Sequence, residues 1–140
     1  MPEIANTAFD MIAGMTPVLR DAEYVFISTT DPAISASMIP CSIATFQENE
    51  GMSMLVPLEL AKTAKFNIEQ PMRCITLNVY SALAGVGLTA AVATALAKNA
   101  IPCNMIAAFN HDHVFVPGHM CDRAMAVLNA LQKQTANNQK

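Results

Sequence analysis

The spacing of apolar residues predicts alternating helical and extended stretches along the first half of the chain. Apolar side chains recur with the helical period from Ile4 to Met15, and Pro17 ends that pattern. The prolines and serines of residues 29–40 predict a loop with at most one irregular turn. The other expected elements are a strand over 24–27, a hairpin of strands 43–47 and 52–56, and a helix over 58–66.

The second half of the chain repeats this order and adds one complete helix. Residues 73–80 alternate between polar and apolar side chains, as a half-buried strand does. Leu88, Val92 and Leu96 form one apolar stripe of a helix predicted over residues 86–99. The remaining expected elements are a hairpin of strands 105–109 and 114–116, a helix over 118–132, and a polar, frayed end over 134–140.

An internal repeat relates the two halves. Ile43–Phe46 and Ile106–Phe109 open the two hairpins with similar sequences, and each hairpin ends in Val-Pro followed by a helix. Each copy is therefore a β-α-β-β-α unit, which needs one more strand to complete a four-stranded antiparallel sheet. Because no strand pattern follows the last helix, we expect residues 16–20 to pair with the second unit.

This pairing predicts an α+β fold of two interlocked ferredoxin-like (βαββαβ) modules with antiparallel sheets. The first module is degenerate, since the loop over residues 29–40 leaves it without a full first helix. The expected boundaries are 1–70 for the first module, 71–133 for the second, and 134–140 for a polar tail.

Composition limits the classes of partner. Hydrophobic residues make up 53% of the chain and charged residues only 14%, against about 25% charged residues in a typical domain. We therefore expect part of the surface to be buried against another copy, as a homodimer or higher oligomer. The net charge of −3 lacks the basic surface that nucleic-acid binding requires, so no nucleic-acid partner is expected.

The cysteines and the N-terminal residues indicate a cytoplasmic protein. No two cysteines form a CxxC pair, which favours inert buried thiols in a reducing compartment. The N-terminus has no basic region and carries Glu3 and Asp10, unlike a secretory signal. The longest uncharged stretch, residues 78–97, contains glycine, serine and threonine and is too polar for a membrane span. The four cysteines are Cys41, Cys74, Cys103 and Cys121.

Several segments resemble the ACT domain, and more narrowly a bacterial tandem ACT-like family of uncharacterised role. They are the strand 77–79, the loop 81–89 and the hairpin 110–117, whose His-Asp-His-Val-Phe-Val-Pro run is the most specific. Residues 24–26 and 45–51 fit the same family, so the resemblance extends over about residues 4–132.

The resemblance implies paired ferredoxin-like modules that often bind amino acids at a module or subunit interface. ACT domains commonly regulate a linked enzyme such as aspartokinase. This chain has no room for a linked enzyme, so the expected target is a separate protein.

The loop between the strand over 73–80 and the following helix is the first candidate site. Its glycines allow the backbone to approach a ligand closely, and the free N–H groups at the start of the helix suit a carboxylate. The resemblance likewise implies that an amino-acid carboxylate binds here. Alternatively, the glycines only permit a tight turn and close helix packing. The expected ligand-binding residues are Ser81, Ala82, Leu83, Gly85, Val86, Gly87 and Leu88.

All three histidines of the chain, His111, His113 and His119, lie close together in the sequence. With Cys121 or Asp112 they could hold a divalent metal ion, but no compact ligand motif is present. We favour a polar hairpin tip in which Asp112 accepts N–H bonds of the turn, and we expect no metal. Asn110, His111 and His113 are secondary candidates for ligand contact, and a histidine could also sense pH.

No sequence motif indicates catalysis. The chain has no paired-carboxylate motif, P-loop or dinucleotide fingerprint, and His119 and Cys121 diverge if they lie on a helix. We expect a regulatory protein without catalytic activity or a cofactor, binding an amino acid and acting on a separate enzyme. The alternatives are an interaction module without a ligand and a metal-dependent enzyme that uses His111, His113 and His119.

Overall fold

The computed structural model describes residues 7–79 and 87–138. In chain order, the helices and strands are α1 (Ala8–Gly14), β1 (Thr16–Thr29), α2 (Pro32–Met38), β2 (Ala44–Glu48), β3 (Gly51–Pro57), α3 (Leu58–Thr63), β4 (Met72–Asn78), α4 (Leu88–Lys98), β5 (Asn104–Ala107), β6 (Asp112–Pro117) and α5 (Cys121–Asn137). Single 3-10 turns follow α2 and precede α5. No helix in the part of the chain described is long and apolar enough to cross a membrane.

The chain divides into two compact units. The larger unit joins the described residues up to Arg20 to those from Arg73 onward, and the smaller unit is Asp21–Met72. The prediction that residues 16–20 belong with the second module is therefore confirmed. The expected contiguous boundaries, 1–70 and 71–133, differ from these units because the segment before Asp21 packs with the C-terminal half.

In the larger unit, the strand order is β1-β4-β6-β5. The first part of β1 thereby supplies the strand that the unit lacks after α5. Strands β5 and β6 pair antiparallel, with Ile106 opposite His113 and Ala107 opposite Asp112. The predicted stripe of α4 is buried against both the sheet and α5. The buried members of this core from β4, α4, β6 and α5 are Ile75, Leu77, Leu88, Val92, Leu96, Val114, Val116, Cys121, Ala124 and Leu128.

In the smaller unit, the strand order is β2-β3-β1, and both pairs are antiparallel. Leu55 of β3 lies opposite Phe26 on one side and Ala44 on the other. Helices α2 and α3 contribute Met38 and Leu58 to a core of its own. The fold is thus an ACT-like ferredoxin type with antiparallel strand pairs and helices, as the sequence predicted.

The prediction of a loop over residues 29–40 is wrong, because most of this segment forms helix α2 and a 3-10 turn. The Asp31 carboxylate accepts a hydrogen bond from the Ala33 N–H at 2.9 Å, and Pro32 occupies the first helical turn. A proline at that position starts a helix because its missing N–H would be unpaired there in any case. The first module therefore has a short first helix.

Two further boundaries differ from the sequence prediction. Strand β1 is continuous from Thr16 to Thr29, where we expected a short segment followed by a separate strand. Helix α5 reaches Asn137, so most of the expected frayed tail is helical. In this last turn, the Thr135 hydroxyl donates to the Leu131 carbonyl at 2.8 Å.

Candidate functional site

Gly87 lies directly before helix α4, at its N-cap position, and has a left-handed backbone conformation. Its φ is 107° and its ψ is −18°, which glycine adopts without the Cβ clash of other residues. The Gly87 carbonyl accepts the Ala91 N–H at 2.9 Å, but no side chain caps the start of the helix. The first N–H groups of a helix have no partner within it, so the start of α4 offers donors and the positive end of the helix dipole.

The predicted loop site falls only partly within the residues that the structure describes. Ser81, Ala82, Leu83, Gly85 and Val86 lie outside them, and Gly87 and Leu88 lie within. The Leu88 side chain is 3% exposed and packs in the core. Of Leu88, only the backbone N–H is therefore suited to ligand contact.

The two histidines of the β5–β6 hairpin contact β4 and the residue that directly follows it. His111 Nδ1 lies 3.2 Å from the Val79 carbonyl oxygen. Since a carbonyl only accepts, Nδ1 of His111 carries the proton. His113 Nδ1 lies 3.0 Å from the Thr76 hydroxyl oxygen. These contacts hold the start of β6 against the end of β4 that leads into the predicted loop.

The three histidines do not form one cluster. His119 is exposed in the 3-10 turn at the far end of β6, and a strand of that length separates it from His113 by roughly 20 Å. In the described part of the chain, no group of three or more His, Cys, Asp or Glu side chains is arranged to hold a metal ion. Asn110 is exposed in the turn that precedes His111.

Asp112 is a buried carboxylate, with 9% of its surface exposed. Side chains alternate across a strand, so Asp112 shares the helix-packed face of β6 with Val114 and Val116, which lie in the core. The expected hydrogen bonds from the turn to Asp112 stay a prediction, and no buried side-chain oxygen or nitrogen of the described residues lacks a hydrogen-bond partner. The expected strand start at residue 114 is also wrong, because β6 begins at Asp112.

Burial shifts the ionisation of both residues at the start of β6. Loss of solvent raises the pKa of Asp112, and the nearby imidazoles of His113 and His111 offset only part of that rise. Loss of solvent lowers the pKa of His113, and the positive charge of Arg20 lowers it further. The imidazole of His113 is therefore a poor source of positive charge for Asp112 near neutral pH.

Sequence reasoning did not single out Asp112 as a ligand-contact residue. The signal was the alternation Asp112, Val114, Val116, which places the carboxylate on the same face as two apolar residues. The predicted turn extends to His113, so it excludes Asp112 from this strand pattern.

The cysteines are free, but they are not all buried. Cys74 and Cys121 are buried, Cys103 is half-buried and Cys41 is exposed. The expectation of buried thiols is therefore wrong for Cys41, which follows Pro40 in a 3-10 turn on the surface.

The fold and the glycine-initiated helix define a protein of the ACT class. Two ACT-domain family models match the chain in tandem, one over residues 9–73 and the other over residues 69–130. The chain belongs to the ACT-domain family. ACT domains are typically regulatory and ligand-binding and are usually non-catalytic.

Solved structures agree with this membership. A Vibrio cholerae protein of unknown function, described as a possible transport protein, is 34% identical, with 89% of this chain and 94% of that chain covered and a TM-score of 0.78. Escherichia coli aspartokinase III, in complex with aspartate and ADP, is 11% identical, with 83% of this chain and 33% of that chain covered and a TM-score of 0.61.

The regulatory subunit of aspartate kinase from Thermus flavus is 15% identical, with 84% of this chain and 96% of that chain covered and a TM-score of 0.51. The likeness to the two kinases is one of fold. No functionally curated protein matches the chain.

Proposed function

We propose that this protein is a regulatory protein that binds an amino acid and has no catalytic activity of its own. The observation that carries the proposal is the start of α4 at Gly87, which has a left-handed backbone and no capping side chain. A carboxylate is the natural partner of such a helix start, because N–H donors and the helix dipole both favour negative charge. The family provides the regulatory role.

Regulation then follows from differential affinity. An amino acid that binds one conformation or assembly more tightly than another shifts the population toward it. The target is a separate enzyme in the cytoplasm. The Thermus flavus aspartate kinase subunit is a regulatory subunit with a similar fold, so such an arrangement has a structural parallel.

A thermal-shift screen with the twenty L-amino acids tests this proposal. A ligand at about 100 times its dissociation constant adds roughly 2.7 kcal/mol of stability. At about 4 °C per kcal/mol, the melting temperature should rise by roughly 10 °C.

Gly87→Ala should abolish that rise, since alanine disfavours a φ of 107°. Gly14→Ala is the matched control: an added Cβ meets its nearest atom, Val79 Cγ2, at an ordinary 3.6 Å. A rise that survives in Gly87→Ala places the site elsewhere. No rise with any amino acid rejects amino-acid binding.

Self-association is a second proposal, and it rests on two exposed phenylalanines. Phe46 is 70% exposed and Phe109 is 80% exposed, at equivalent positions of the sequence repeat. Phe46 lies in β2, the outermost strand of the smaller unit, and Phe109 lies two residues after the end of β5, the outermost strand of the larger unit. Exposed aromatic side chains at sheet edges favour association, and we propose at least a homodimer.

Sedimentation equilibrium tests the association. The protein should sediment as a dimer or larger species, and Phe46→Ser with Phe109→Ser should shift it toward the monomer. A wild-type monomer at 100 µM, a concentration of the order at which weak dimers form, would refute this proposal without affecting ligand binding.

A further inference from the structure

The sheet of the larger unit has a second face, opposite the helices, on which three adjacent strands place polar side chains. Strands β1, β4 and β6 are neighbours in this sheet, and side chains alternate between the two faces of a strand. Each strand contributes to the helix-covered core, through Leu19 of β1, Ile75 and Leu77 of β4, and Val114 of β6. The residues that alternate with them, on the opposite face, are Arg20, Thr76 and His113.

These three side chains form one row across the strands. His113 Nδ1 lies 3.0 Å from the Thr76 hydroxyl oxygen, so the two side chains join β6 to β4. Cys74 precedes Thr76 on the same face of β4, and burial raises the pKa of its thiol, while a hydrogen bond and the positive charge of Arg20 act in the opposite direction. The Arg20 side chain therefore lies beside Cys74. Its charge also reaches His113, whose pKa is lowered first by burial and then by Arg20.

The row is open to solvent, and its arginine has no acidic partner. Arg20 is exposed, and Thr76 and His113 are half-buried. In the part of the chain that the structure describes, Arg20 forms no ion pair with an Asp or Glu side chain. The imidazole of His111 also opposes a positive charge on His113, and only the carboxylate of Asp112 favours one. Asp112 lies on the helix-covered face, because it alternates with His113 along β6.

Protonation of His113 makes more hydrogen-bond donors available in the row. When the imidazole is neutral, one partner of the contact between His113 and Thr76 donates to the other. When it is charged, both ring nitrogens carry hydrogens, so Nδ1 donates to the Thr76 oxygen. The His113 Nε2–H and the Thr76 hydroxyl hydrogen are then both available, beside the N–H groups of Arg20. Two positive charges and donors from three strands suit a doubly charged oxyanion.

We propose that Arg20, Thr76 and His113 bind a phosphate group on the face of the sheet opposite the helices. Arginine binds phosphate through two parallel N–H donors, and such charge-assisted bonds are stronger than neutral ones. A bound anion favours the protonated imidazole of His113, so the affinity rises as the pH falls. The site is separate from the start of α4 and does not depend on amino-acid binding.

NMR of the imidazole hydrogens tests the site in the full chain. Sulfate is the probe, because it stays doubly charged across the titration, and sodium chloride at equal ionic strength is the reference. Sulfate should raise the pKa of His113, and its dissociation constant should fall at least about 3-fold between about pH 7.5 and about pH 5.5, on either side of the usual histidine pKa. His119, exposed in the 3-10 turn after β6, is the internal reference and should not respond.

Variants separate the roles of the side chains. Arg20→Gln should weaken sulfate binding about 10-fold or more, since hydrogen bonds to a charged group are lost. In chloride, Arg20→Gln should also raise the pKa of His113, because a positive neighbour is removed. His113→Gln should abolish the pH dependence of binding. Lys98→Gln is the matched control: it removes an exposed positive charge from α4 and should keep the wild-type affinity. Melting temperatures check that each variant folds.

The source of the phosphate group follows from a parallel titration with inorganic phosphate and glycerol phosphate. Equal affinities indicate the free ion, and tighter binding of the ester indicates a phosphorylated metabolite. Acetate, with a single charge, should bind more weakly than sulfate, and equal binding would overturn the preference for phosphate. The site itself is overturned by a His113 pKa that is the same in sulfate and chloride, by an equal response of His119, or by an unchanged affinity in Arg20→Gln. None of these results affects the proposal of amino-acid binding.

Discussion

Gly51, at the start of β3, is the position where an added methyl group should most lower the free energy of unfolding of the smaller unit. Its φ is +149°, and an added Cβ would lie 2.8 Å from the Thr29 carbonyl oxygen and 3.2 Å from Ser28 Oγ. Thr29 and Ser28 pair with Met52 and Ser53 across the β1–β3 ladder, so the backbone oxygen cannot move without loss of strand pairing.

Two costs and one gain set the magnitude for Gly51→Ala. Backbone strain at such a φ costs about 1–3 kcal/mol, and the forced contact with backbone costs about 1–3 kcal/mol. The lower entropy of the unfolded chain returns about 0.4–1 kcal/mol. We expect a net loss of about 1–5 kcal/mol in the free energy of unfolding.

Urea denaturation followed by circular dichroism measures this loss as a lower midpoint with an unchanged slope. Gly14→Ala, at the end of α1, is the control, and it should change stability by no more than about 1 kcal/mol in the stabilising direction. A Gly51→Ala variant within about 0.5 kcal/mol of the wild type, the usual range for neutral surface changes, would refute the reasoning.

Three further predictions concern ionisation and thiol reactivity. Burial raises the pKa of Asp112, so the contribution of this group to the stability of the fold is complete below the unfolded pKa of about 4 and is lost as the pH rises through the folded pKa. The melting temperature of Asp112→Asn should therefore rise relative to that of the wild type between about pH 3.5 and pH 7. A constant difference between the two melting temperatures would contradict this. The pKa of His113 is lowered by burial, so the wild type should lose stability from about pH 6.5 downward, whereas His113→Gln should lose less, as melting curves will show. Exposed Cys41 should react with a thiol reagent before buried Cys74, because burial raises the pKa of the Cys74 thiol. Cys41→Ser should remove the fast phase of the reaction. A fast phase that persists in this variant would be inconsistent with the assignment.

The repeat made most of the fold predictable. Two hairpins with similar openings and Val-Pro endings located β2, β3, β5 and β6, and the missing strand after the last helix led to residues 16–20. These inferences depend on local patterns and on counting strands. Helix α2 was missed because Pro32 was interpreted as a helix breaker, although Asp31 and Pro32 together form a helix start.

The candidate site was predictable in part. The glycine that initiates α4 was identified because its chemistry is local to the sequence. The burial of Asp112 was not, because it arises only when β6 packs between β4 and β5. The contacts of His111 and His113 with β4 are likewise long-range.

Backbone amide NMR during titration with the most stabilising amino acid is the most direct test of where the ligand binds. The account predicts that the largest 15N–1H shifts occur at Leu88 and Thr89, the first residues of α4, and saturate with the affinity measured by calorimetry. Ala33 of α2, whose N–H already donates to Asp31, should not shift. Largest shifts on β2 or α2, with the start of α4 unperturbed, would contradict the central claim.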